Sequence, residues 1–134
     1  MIEKLKKLNE NSYSPYSKFR VSAIAVMKDG QEFGGVNVEN ASYGATICAE
    51  RSAIVSAISN GYKKGDFEKI YVYVNEPKAS TPCFMCRQVL CELFEANKEV
   101  ICVNNKGEET IYTIKDLCPF PFDESDLKKW NQDL

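Results

Sequence analysis

The stretch KIYVYVNEPKASTPCFMCRQVLCELFEANKEVICV, residues 69 to 103, decides the reading of the fold. Its opening, Lys69 to Asn75, is rich in β-branched and aromatic side chains and reads as a strand. Pro82 stands where a helix can begin, because its missing N–H would have no partner in the first turn, and Cys83 to Asn97 reads as that helix. Glu99 to Val103 returns to strand chemistry. Two strands joined through a helix are a unit of α/β architecture.

On the N-terminal side, Thr46 to Ser59 carries Ile47, Ile54 and Ile58 among alanines at helical spacing, with Asn60-Gly61 as a stop signal. Ahead of it, Phe19 to Lys28 and Gln31 to Val38 read as two strands of a hairpin turning at Asp29-Gly30. Met1 to about Asn11 reads as an amphipathic helix, with Ile2, Leu5 and Leu8 set among lysines, stopped by the SYSPYS segment containing Pro15. On the C-terminal side, Asn104 to Gly107 reads as a turn, Thr110 to Thr113 as a short strand and Asp123 to Trp130 as a terminal helix. The expected architecture is α/β, a three-layer α-β-α sandwich around a mixed sheet of about five strands.

At 134 residues and 44% hydrophobic composition, the chain can bury one sizeable core and is too short to divide comfortably, so residues 1–134 are expected to form a single domain. A net charge of -2 with 27% charged residues offers no basic field for phosphate backbones, which argues against nucleic acid as a partner. The first residues lack the continuous apolar stretch of a signal peptide or a spanning helix. A soluble cytoplasmic protein with no membrane partner is the expectation.

Six cysteines and no histidine frame the chemistry. Without histidine, the usual proton shuttle near neutral pH and the commonest metal ligand are both missing. A secreted disulfide framework normally accompanies a signal peptide, so reduced thiols are expected. Cys91, Cys102 and Cys118 lie beside apolar neighbours and read as small buried hydrophobes without a chemical role. The other three belong to a pattern: Cys48-Ala49-Glu50-Arg51, and later Pro82-Cys83-Phe84-Met85-Cys86-Arg87-Gln88.

A C-x-x-C pair at the start of one helix and a third cysteine at the start of another can converge on one Zn²⁺, leaving the fourth position open. Helix N-termini favour thiolate over thiol and help hold a site crowded with negative sulfur. Three thiolates leave a net charge of about -1 on the site, which weakens the ion as a Lewis acid unless a cation compensates. Arg51 and Arg87 adjoin the ligands, and Arg51 is the favoured donor to the sulfurs. Glu50, two residues beyond a ligand, is placed to carry protons rather than to fill the open position. The plainer readings are a structural zinc clip, for which no second C-x-x-C supplies a fourth ligand, and a thioredoxin-like redox pair, which leaves Cys48 to Arg51 without a task. Taken alone, Asn37 and Glu39 are ordinary strand or turn residues, and Phe19 and Phe122 ordinary core aromatics.

These two segments, with Val36-Asn37-Val38-Glu39-Asn40-Ala41-Ser42-Tyr43, resemble the small, homotetrameric class of cytidine deaminases over almost the whole chain. A cysteine, a glutamate and a P-C-x-x-C segment form the signature of zinc-dependent base deaminases. The resemblance implies one zinc per chain on Cys48, Cys83 and Cys86, with Glu50 as catalytic acid and base, protonating N3 of the pyrimidine and later the departing amine. It implies Asn37 and Glu39 at the ribose hydroxyls, with Phe19 and Ala49 at the substrate. Phe122 would reach a neighbouring subunit's site in a homotetramer. Cytidine and deoxycytidine would be the substrates, in pyrimidine salvage. Phe84-Met85 departs from the family's usual glycine and small residue, and Arg20 and Ser22 from its proline and glycine. A deaminase of another cytosine-bearing nucleoside, such as an antibiotic, is the alternative, followed by a non-catalytic zinc or redox module.

Overall fold

A computed structural model describes residues 1–127. The elements are α1 (Ile2–Asn9), β1 (Val21–Met27), β2 (Glu32–Val36), α2 (Ala49–Ser59), β3 (Phe67–Val74), α3 (Phe84–Leu93), β4 (Glu99–Val103), β5 (Glu109–Thr113) and α4 (Ile114–Leu117). The strands form one sheet in the order β2-β1-β3-β4-β5. β1 runs antiparallel to both β2 and β3, β4 antiparallel to β5, and only β3 and β4 are parallel, joined by the crossover through α3. The mixed five-stranded sheet of the sequence reading is thus present.

Period-two alternation distributes the core between two faces. Ala23, Ala25, Val72, Val100 and Cys102 point to the face covered by α2 and α3, where Ala49, Ala53, Ile54, Ala57 and Leu90 join them. Ile24, Tyr73, Ile101 and Val103 point to the other face, where Leu5 of α1 is fully buried. Helices therefore lie on both sides of the sheet, completing three layers.

Two consecutive glycines let both helix layers approach β2. A Cβ on Gly35 would lie 2.4 Å from the backbone nitrogen of Ala53 and 2.6 Å from the carbonyl oxygen of Ala49. On the opposite face, a Cβ on Gly34 would lie 2.8 Å from a methyl of Leu8. The Ser52 hydroxyl adds a 3.0 Å hydrogen bond to the Val36 carbonyl. The first turn of α2 is consequently seated directly on β2.

Several boundaries differ from the sequence reading. The helix expected from Thr46 begins at Ala49, because Ile47 pairs with Val38 in an isolated bridge and Cys48 is an extended N-cap. The helix expected to reach Asn97 ends at Leu93, whose carbonyl accepts from Gly65 N–H at 3.1 Å. Phe94 turns out of the helix and stacks on Phe67, ring centroids 4.6 Å apart. The short α4 was not anticipated; Thr113 and Asp116 make a reciprocal capping box that nucleates it. Of the terminal helix expected over Asp123 to Trp130, Glu124 to Leu127 are helical, Asp123 precedes the helix, and residues 128–130 lie outside the described residues.

Candidate metal centre and active site

Two helix starts meet at one point. Cys48 is the N-cap of α2 and Cys83 the N-cap of α3, both with extended backbone, and Cys86 lies in the first turn of α3. The three sulfurs all lie within 4.8 Å of one another, with Cys48 and Cys83 Sγ 3.6 Å apart. A tetrahedral zinc with Zn–S bonds of about 2.3 Å sets its sulfurs about 3.8 Å apart, so the triad is gathered closely enough to take such an ion with small side-chain adjustments. Among the described residues, no other His, Cys, Asp or Glu side chain joins this cluster. Three ligands leave one position for water or substrate, as a catalytic rather than a closed structural site requires.

Glu50 follows in the first turn of α2 and is 4% exposed. Burial raises its carboxyl to about 7, a change that the nearby Cys48 sulfur reinforces. Cys48 is held low, at about 5, by hydrogen bonding with Cys86 and with Arg51 and Cys83. Cys86 is pushed upward, chiefly because its protonated thiol donates a hydrogen bond to the Cys48 sulfur. The triad therefore presents one preformed thiolate, and a cation can draw the remaining protons off.

The two arginines divide their tasks. Arg51 Nη2 donates to Cys48 Sγ at 3.5 Å and its guanidinium also interacts with Cys86, so it faces the sulfurs. Arg87 points elsewhere: Nε donates to the Pro82 carbonyl at 2.7 Å, Nη2 to Thr81 Oγ1 at 2.9 Å and Nη1 to the Leu117 carbonyl at 3.3 Å. The Phe84 ring covers it, 4.4 Å from ring centroid to guanidinium carbon.

A mostly apolar cavity of about 280 Å³ opens over the triad and is lined by Phe19, Asn37, Glu39, Ala49, Glu50 and the Val72 and Val74 side of β3, among others. Five of the residues singled out in the sequence, Phe19, Asn37, Glu39, Ala49 and Glu50, thus converge with Cys48 and Cys83. Phe122 does not; it is 58% exposed and lies in a separate cleft with Phe84 and Phe120.

Asn37 and Glu39 have an additional role. Asn37 Oδ1 accepts from the backbone N–H of Val21 at 3.0 Å and from the Ser12 hydroxyl, while Nδ2 donates to the Phe19 carbonyl at 2.8 Å. Glu39 Oε1 accepts from the backbone N–H groups of Tyr16 and Ser17 at 3.0 and 3.1 Å, and Oε2 accepts from the Ser17 hydroxyl. The Ser17 hydroxyl, with those amides, holds the Glu39 carboxyl below the usual carboxylate range. Both side chains shape the loop that presents Phe19. Unused lone pairs on the carboxylate and the second amide hydrogen of Asn37 leave capacity for a ligand. Ser12, Ser17 and Thr81 were not singled out in the sequence, where isolated hydroxyl residues in a loop carry no distinguishing pattern.

Residues 1–104 match the family described as the cytidine and deoxycytidylate deaminase zinc-binding region. The chain is 39% identical to cytidine deaminase of Halalkalibacterium halodurans, over 95% of each chain. It is also similar to the crystal structure of cytidine deaminase from Burkholderia pseudomallei, at 44% identity and a TM-score of 0.86, covering 90% of this chain and 95% of that one. Blasticidin-S deaminase of Bacillus cereus is a more distant relative, 33% identical over 79% of each chain. With three sulfurs spaced for zinc beside a buried glutamate, and with these relatives spanning nearly its whole length, the chain belongs to the cytidine and deoxycytidylate deaminase family.

Proposed function

We infer that this protein hydrolyses the exocyclic amine of cytidine and deoxycytidine, giving uridine or deoxyuridine and ammonia. The observation that carries the reading is Glu50, nearly fully buried in the floor of a nucleoside-sized cavity beside three sulfurs suited to zinc. Zinc on Cys48, Cys83 and Cys86 would supply the Lewis acidity that lets water ionise near neutral pH. Arg51, donating to the sulfurs, offsets their negative charge and preserves that acidity.

Glu50 moves the protons. Buried beside the triad, with burial disfavouring its charged form, the carboxyl accepts the proton of the attacking water and returns it to N3 of the base. After attack at C4, the same carboxyl protonates the departing amine. The apolar walls, Val72, Val74 and Phe19, bind the flat base and exclude bulk water. Asn37 and Glu39 lie on the cavity wall as hydrogen-bonding partners for sugar hydroxyls, and the carboxylate disfavours a substrate phosphate.

The assembly that this reading favours is a homotetramer in the cytoplasm. Val55 and Ile58 on α2, Phe84 and Met85 on α3, and Phe120 and Phe122 are exposed apolar side chains that a second copy would cover. Placing Phe122 at a neighbour's cavity would account for its distance from its own. Light scattering that returned a fully active monomer would remove this part of the proposal.

Absorbance of cytidine incubated with protein of measured zinc content tests the central reading. Conversion to uridine at about one zinc per chain, lost on stripping the metal, is the expected result. Absence of conversion by zinc-loaded protein would overturn the substrate assignment.

A further inference from the structure

Cys91 and Cys118 take no part in the chemistry above, yet they form a second thiol cluster. Cys91 Sγ, on α3, donates to the Gln88 carbonyl at 3.2 Å. Cys118 Sγ, just after α4, donates to the Arg87 carbonyl at 3.3 Å. In an α-helix that carbonyl is also the acceptor for the backbone N–H of residue 91. The Cys118 sulfur is therefore bound to the peptide group that closes the helical turn of Cys91 itself, the two sulfurs donate to consecutive carbonyls, and both residues line one cleft. Both are partly exposed in the single chain, in a cleft of about 300 Å³ whose rim of Phe84, Phe120 and Phe122 is the surface that a second copy would cover, whereas the sequence reading had them as inert buried hydrophobes. Cys102 alone of the three fits that reading, at 1% exposure.

We propose that Cys91 and Cys118 are a dithiol oxidation site that a hydroperoxide closes to a disulfide, linking α3 to the segment after α4. One sulfur attacks a peroxide oxygen, the O–O bond breaks and an alcohol, or water from hydrogen peroxide, leaves, giving a sulfenic acid. The second sulfur then attacks the first, the S–O bond breaks and water leaves. Overall the two thiols lose two electrons and two protons, and the hydroperoxide is reduced; with hydrogen peroxide the products are the disulfide and two waters.

The surroundings give this bond a structural consequence. Arg87 already holds the Leu117 carbonyl, and Gln88 Nε2 holds the Phe122 carbonyl at 2.8 Å. A disulfide adds a covalent tie between the helix carrying Cys86 and the segment carrying Phe122. Burial pushes the Cys91 thiol up to about 11 and the Cys118 thiol upward as well, so both rest as neutral thiols and closure is slow at neutral pH. Cys48, Cys83 and Cys86 are protected when their sulfurs are committed to zinc.

The test exposes zinc-loaded, full-length protein to hydrogen peroxide, alkylates the remaining thiols and maps peptides without reduction. The expected product is a single cross-link between Cys91 and Cys118, reversed by dithiothreitol, with zinc retained. The melting midpoint should rise by about 5 °C on oxidation in the parent protein and not in Cys118→Ser or, as an independent control, Cys91→Ser. Recovery of both cysteines alkylated after exhaustive peroxide treatment, conversion of either to a sulfinic acid, or a cross-link to any other cysteine would overturn the proposal.

Discussion

Arg87 Nε donates to the carbonyl oxygen of Pro82 at 2.7 Å, one residue before Cys83, so the backbone that presents this sulfur is clamped by a side chain from the next turn of the same helix. The clamp extends to Thr81 Oγ1 and the Leu117 carbonyl, joining the Cys83 loop to the far end of the chain. The guanidinium acts through the loop and not on the sulfurs. Arg87→Ala is therefore expected to weaken zinc binding by about 10–100-fold, the range found when partners that orient metal ligands are removed. Competition with a chromophoric chelator measures this directly. A loss of stability equal in metal-free and zinc-loaded protein, with unchanged zinc affinity, would show that Arg87 serves the fold alone.

The cavity's other carboxylate, Glu39, is held on the loop by the Tyr16 and Ser17 amides and the Ser17 hydroxyl, which leaves the proton work to Glu50. Glu50→Gln should keep zinc at about one per chain and lower kcat by at least about 10³-fold, within the range for loss of a general acid and base. Metal analysis beside the rate of cytidine conversion checks both halves. Full activity in this variant would exclude the proton route described above.

The same residue predicts a pH dependence in metal-free protein. A carboxyl raised from 4.5 to about 7 binds its proton more tightly folded than unfolded. Its contribution is complete below pH 4.5 and is lost as pH rises through about 7, amounting to about 3 kcal/mol across the window. Metal-free Glu50→Gln should consequently unfold at higher urea concentration than the parent at pH 8, and at nearly the same concentration at pH 4. Equal midpoints at both pH values would show that burial of this carboxyl is not strained.

How far the sequence could be read depended on whether the deciding contacts were local. The hairpin turn at Asp29-Gly30 and the strand Glu99–Val103 are written in neighbouring residues, and both appear where expected. The zinc triad was legible because C-x-x-C spacing and a distant cysteine beside a glutamate form a rare combination. Helix ends were not, since Leu93 stops α3 through a contact with Gly65 that no local pattern encodes. For the same reason Arg87 could be named beside the ligands but not assigned to Pro82 and Thr81, and Cys118 could not be brought to Cys91.

Gly35 makes a prediction about how the metal site is seated. Any Cβ there meets the backbone of Ala49, Ser52 and Ala53 at less than 3.0 Å, and backbone cannot rotate aside as a side chain can. Gly35→Ala should therefore push the start of α2 away from β2, costing about 1–3 kcal/mol by overpacking and displacing Cys48 and Glu50 together. Urea unfolding with zinc titration tests the coupling. A variant as stable as the parent would mean that the approach of α2 to β2 relaxes freely.

The contact between Ser17 and Glu39 separates two functions that the cavity combines. Glu39 is bonded to the loop through Ser17 and Tyr16, and it also lines the space assigned to the sugar. Ser17→Ala removes one hydrogen bond to the carboxylate and loosens the loop presenting Phe19, while leaving Glu39 available to a ribose. KM for cytidine should rise by about 3–10-fold from a lost hydrogen bond of about 1 kcal/mol, with kcat little changed. Glu39→Gln should act more severely on cytidine and, because free cytosine has no sugar hydroxyls to bind, should leave turnover of the base nearly unaltered. If both substitutions depress cytosine and cytidine equally, Glu39 works only through the loop, and the sugar is held by other groups.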